Sequence, residues 1–153
     1  MNDTALDVVL NTALAGFVGV YFILVIVLLI FLVCLLIGRI ALFKKCGEAG
    51  WKAIIPFYSD YVMDVKICGL HWALYVAEEF LTFNVATQFV NILIRALRYY
   101  NLSKKFHKDP VPTTIFGALF SSIVEMVYGL GSSYTYDANE PVGNLGFFNR
   151  IVK

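Results

Sequence analysis

Four side chains with chemistry to offer stand inside apolar stretches of this 153-residue sequence: Glu78, Glu79, Asn84 and Glu125. Polar and ionisable groups in such surroundings are expensive, so they are either functional or tied to a partner. Adjacent carboxylates could activate a water or hold a metal, but a metal centre needs at least about three well-placed ligands. His71 lies seven residues before Glu78, and His107 stands among lysines far downstream, so at most one histidine and two carboxylates come within reach. No catalytic set, cofactor or metal is expected from these residues. Glu125 follows Ser121 and Ser122 by about one turn and precedes Tyr128 by three residues, all on one face of a helix. Those hydroxyls could satisfy a neutral acid there; the alternative is a proton or cation path between subunits.

The elements that must position these groups follow from composition. Apolar residues make up 59% of the chain and charged residues 15%, against about 45–50% and about 25% in soluble domains. Such an excess calls for an apolar solvent. The net charge of +1 gives no bulk attraction to nucleic acid, and none is expected as a partner. Cys34, Cys46 and Cys68 are odd in number and show no CxxC spacing, so they read as free thiols in a reducing, cytoplasm-facing setting. No charged residue lies between Asp7 and Arg39, which predicts a membrane-spanning helix over about 13–38. The start of the chain carries Asp3 and Asp7 but no Lys or Arg, unlike a cleavable signal, so this helix is expected to be retained. Arg39, Lys44, Lys45 and Lys52 follow at once, and the preference of cytoplasmic loops for basic residues puts the amino terminus outside.

Residues 51–67 mix Ile54, Ile55, Phe57, Tyr58 and Tyr61 with Lys52, Asp60, Asp64 and Lys66, too polar to span but suited to an interfacial helix starting near Pro56. The next apolar stretch is flanked by basic clusters on both sides, the second being Arg95, Arg98, Lys104, Lys105 and Lys108. Both clusters stay inside only if the chain turns back, so a short hairpin over about 70–99 is expected, turning near Asn84 and re-entrant if its arms are too short to cross. Three crossings are the alternative. After Asp109-Pro110-Val111-Pro112 a last membrane helix is expected over about 112–130. The fold class is therefore all-α, a polytopic transmembrane helical protein. It has one long first helix, an interfacial helix, a central hairpin and a last membrane helix in one domain over 1–134, with a polar tail over 135–153.

Gly47-Glu48-Ala49-Gly50-Trp51-Lys52-Ala53-Ile54-Ile55-Pro56-Phe57-Tyr58 resembles the G-x-x-G-W-K-A-x-I-P-x-Y signature of a family of small prokaryotic multi-pass membrane proteins of unknown function. Members often carry a signal peptidase I label. Gly47, Gly50, Trp51, Lys52, Pro56 and Tyr58 carry the likeness, and the later stretches Gly69–Trp72, Leu102–Lys108 and Gly129–Tyr134 look like further landmarks in the same order. Family members usually have a mostly apolar hairpin with proline at its turn, where this chain has Glu78, Glu79 and Asn84. The resemblance implies an architecture and no activity.

Neither protease chemistry that these residues bring to mind is complete. A signal peptidase uses a serine nucleophile and a lysine base outside the membrane; here Ser59 is followed by Asp60-Tyr61-Val62 on the predicted cytoplasmic side. Intramembrane CAAX-type proteases carry E-E-x-x-x-R, but Phe83 holds the position of that arginine. The expected role is a non-enzymatic accessory or scaffold subunit of the bacterial cell membrane, partnered by lipid, by other membrane proteins or by further copies of itself. A small oligomeric channel or transporter is the alternative, because about four short helices could hardly enclose a path alone.

Overall fold

The apolar run near the start of the sequence folds as one uninterrupted helix, α1 (Asp3–Lys45). The computed structural model describes residues 3–142, which are helical with short connections and hold no strand. Two compact units divide the chain within α1, one ending at Cys34 and the other starting at Leu35. In the first, apolar side chains stand exposed along the helix, as at Phe17 (75%) and Ile23 (63%). Among the described residues α1 is the one helix long and apolar enough to cross a membrane, over the 36 residues Leu10–Lys45. At ~1.5 Å per residue that stretch reaches about 54 Å, so a hydrocarbon core of ~30 Å would cover only part of it.

A left-handed glycine ends α1. Gly47 has φ +79°, its amide donates to the Lys44 carbonyl (3.2 Å), and the Glu48 amide donates to Phe43 (2.9 Å). This pair of bonds is a Schellman cap, for which glycine alone carries no steric cost. The interfacial segment expected over 51–67 is not a single helix. It comprises a 3₁₀ turn (Gly50–Ala53), a short α2 (Tyr58–Tyr61) and a wider π-helical stretch (Val62–Ile67). Pro56 has no amide to donate, so helical bonding restarts beyond it.

Helix α3 (Trp72–Thr82) and helix α4 (Gln88–Lys105) pack against each other on either side of a short reversal. Asn84 shapes that reversal: its side-chain oxygen accepts from the Ala86 amide (3.0 Å), while Thr87 Oγ1 donates to the carbonyls of Leu81 and Asn84 (2.8 Å each). The apolar run that follows differs from the single helix expected over about 112–130. It forms two ten-residue helices, α5 (Pro110–Leu119) and α6 (Ser121–Leu130), separated at Phe120 with φ −130° and ψ 54°. Ser121 and Ser122 favour helix starts over helix interiors, which places the interruption here.

The core of the second unit gathers Leu42 and Phe43 of α1, Met63 and Ile67, Tyr99, Leu102 and Phe106 around α4, and Tyr128 of α6. Close backbone approach makes this possible: a Cβ on Gly129 would collide with the Gly38 carbonyl, and one on Gly117 with the Tyr99 ring. Lys45 Nζ donates to the carbonyls of Tyr128 (2.9 Å) and Gly131, closing the C-terminal end of α6 with a cation. Beyond α6, Tyr136 OH donates to the Ile67 carbonyl (3.0 Å) and the Asp137 amide to Lys105 (2.8 Å), fastening the start of the expected polar tail. Its part from residue 143 onward lies outside the described residues.

Candidate functional site

Charged residues from six segments of the second unit converge. His71 caps α3, its Nδ1 accepting from the Ala73 amide (3.2 Å), and α3 then carries Glu78 and Glu79 in succession. Glu78, 6% exposed, receives Arg95 Nε of α4 at 3.1 Å and also the Arg98 guanidinium. Arg95 and Arg98 are three residues apart and so share a helical face. Arg98 reaches on to Asp64 of the π-helical stretch (Nη2 to Oδ2, 2.8 Å), joining two carboxylates from different elements while itself only 5% exposed.

The other half of the cluster is built around Arg39, near the end of α1. Its Nη2 donates to Asp60 of α2 (2.5 Å), and its Nε lies 3.3 Å from Glu125 Oε2 on α6. The second Glu125 oxygen accepts from the buried Tyr99 hydroxyl at 2.8 Å. Between the halves is a polar cavity of about 180 Å³ lined by Arg39, Asp60, Glu79, Arg95 and Ser121 among others. It has space for several ordered waters. Asp60, Asp64, Glu78, Glu79 and Glu125 set five carboxylates against the three guanidiniums of Arg39, Arg95 and Arg98, an excess of two acids. Burial drives the Asp64 carboxyl up to about 7; Arg98 opposes the rise and Glu78 adds to it. Glu79 lines the cavity and makes no ion pair among the described residues.

Of the residues singled out from the sequence, Glu78, Glu79 and Glu125 come together here, whereas Asn84 serves the reversal before α4. The signature residues lie elsewhere. Trp51 stacks on Tyr58 (centroids 6.3 Å apart), Tyr58 on Tyr61 (6.2 Å), and Tyr61 meets Tyr75 edge-on (5.6 Å). Lys52 Nζ bonds Glu48 at 2.5 Å, Gly50 fits beside Ile40 and Lys44, and Pro56 marks the restart before α2. Sequence reasoning passed over Arg39, Arg95 and Arg98, read only as topology signals, and Asp60, Asp64 and Tyr99. A signal was there: Asp60 and Asp64 are four apart and Arg95 and Arg98 three, each pair fit to face one way from a helix.

A second polar group lies between the α4–α5 corner and the chain after α6. His107, Asp137 and Glu140 bring one donor atom each to within 4.8 Å of one another, with His107 Nε2 3.6 Å from Asp137 Oδ2. The ring is 58% exposed and the carboxylate 42%, so a cation held there would remain largely in solvent.

No curated protein and no solved structure matches the chain. One family model does, over residues 51–139, more than half of the chain and a span holding every residue of the charge cluster except Arg39. The chain belongs to that family, a family of unknown function (DUF5684).

Proposed function

We propose that this chain is a non-enzymatic accessory or scaffold component of the cell membrane, crossing it several times with its amino terminus outside. One observation carries the reading: beside its apolar core the second unit buries a cluster of paired charges while leaving large apolar side chains exposed. Asp64, Glu125, Arg98 and Glu78 are 0, 3, 5 and 6% exposed, while Phe80, Phe89, Phe83 and Val85 are 78, 80, 82 and 87% exposed. Soluble proteins mostly keep such charges at the surface, whereas in lipid the apolar side chains face outward and ionisable ones pair in the interior. The pairing supports a structural use for the acids. Arg39 ties α1 to α2 and α6, and Arg98 ties α4 to α3 and the π-helical stretch, so the carboxylates join elements. An intramembrane hydrolase gains little from a Glu78 already held by two arginines.

A second reading, a small oligomeric channel or transporter, draws on the polar cavity and on Glu79 beside it. Flux through liposomes holding the intact, folded chain separates the two. The scaffold reading predicts no proton, cation or anion flux above that of empty vesicles. Flux that disappears in Glu79→Gln or Glu125→Leu, with insertion and oligomer size unchanged, would replace it with the channel.

A further inference from the structure

A larger cavity of about 620 Å³ lies in the angle between α5 and α6. Pro112 and Phe116 line it from α5 and Ile123 and Val127 from α6, with Phe120 at the joint. The interruption at Phe120 makes it possible, because a straight helix would have no hollow between its two halves. At one end the lining becomes polar, with Lys108, Asp109, Thr113, Tyr128 and Tyr134. Thr113 Oγ1 and the Tyr128 hydroxyl satisfy each other at 2.8 Å. Lys108 is exposed, its ammonium 4.9 Å from the Tyr134 ring centroid, and among the described residues it makes no ion pair. It is an available cation at the mouth of an apolar slot.

Size and polarity select the occupant. Mostly apolar cavities of about 300–1,000 Å³ with a few polar groups at one side are typical of small-ligand sites. A partner helix about 10–12 Å across takes up about 1,000 Å³ in two turns, too much for this space. A molecule with a slim apolar chain and a single anionic group fits both the slot and Lys108. We infer that the cavity binds one glycerophospholipid, with an acyl chain between α5 and α6 and its phosphate at Lys108. The inference rests on the proposed membrane location, since the bilayer supplies the ligand.

Native mass spectrometry of the detergent-solubilised full chain tests it, with dioleoylphosphatidylglycerol as the probe and dioleoylglycerol, which lacks the phosphate, as its comparison. The wild type should retain one phosphatidylglycerol in preference to dioleoylglycerol. Lys108→Ala should reduce the preference on the order of tenfold while leaving dioleoylglycerol retention unchanged. Val127→Trp, which fills the slot from an already part-exposed position, should remove retention of both, with Ile123→Trp as a second variant should the first lose its helical circular dichroism. Equal retention by the wild type and a folded slot-filling variant, or no effect of Lys108→Ala, would overturn the lipid site. Flotation with liposomes in high salt reads the membrane location separately: a chain that floats without slot-dependent retention overturns this site alone, and a chain that does not float overturns the membrane reading.

Discussion

Arg98 carries a charge at 5% exposure between Asp64 and Glu78, and that burial decides what its loss would do. Arg98→Leu leaves the buried Asp64 carboxylate without its cation and Glu78 with Arg95 alone, and breaking a buried pair in this way costs about 3–5 kcal/mol. Replacing Asp64, Glu78 and Arg98 together by leucine should restore most of that loss, because apolar packing often equals or exceeds a buried ion network. Chemical unfolding of the solubilised protein, followed by circular dichroism, measures both; a single variant as stable as the wild type would mean that the cluster does not hold the helices together. Glu78, Glu79 and Glu125 stood out in the sequence because an acid within an apolar run must either act or be tied to a partner. The arginines were not, since a basic residue beside a membrane segment is already accounted for by topology. Asp60 and Asp64 were hidden in the same way, in a segment polar enough to pass for an interfacial surface.

Helix ends govern the next scale. Helices α1 and α4 finish on the same Schellman geometry, but where α1 has Gly47 at φ +79°, α4 has His107 at φ +51°. The His107 amide donates to Lys104 (2.9 Å) and the Lys108 amide to Ser103 (3.0 Å), as at the end of α1. A left-handed conformation costs a residue with a side chain about 1–2 kcal/mol, and the exposed contact with Asp137 returns little of it. His107→Gly should therefore raise the unfolding midpoint, with a gain of roughly 1 kcal/mol. A lowered midpoint would show that the His107–Asp137 contact outweighs the backbone strain. The long first helix was readable because so many consecutive apolar residues have few other fates. The division of the last run at Phe120 was not, for no proline marks it and only two serines hint at a new start. The same holds for the π-helical stretch that turns Asp64 inward: hydrophobic periodicity reports a face, but not a local change in helical pitch.

At the scale of the whole molecule, the buried charge cluster and the exposed rings of Phe80, Phe83 and Phe89 are one arrangement seen from two sides. An apolar solvent around α3 to α6 would stabilise the exposed rings and strengthen the ion pairs within, as lower dielectric strengthens any satisfied pair. The sequence pointed to this solvent through its composition, while the inward aim of the arginines emerges only from the packing of α1, α4 and α6 around the cavity. The most direct test is to irradiate the intact chain in liposomes with a carbene precursor dissolved in the bilayer, and to map the modified residues by mass spectrometry. A multi-pass protein predicts label on Phe80, Phe89, Leu93 and Phe116, which are 78, 80, 69 and 59% exposed, as well as along α1. Label confined to α1, with those four residues unmodified, would contradict the account and leave a single membrane span.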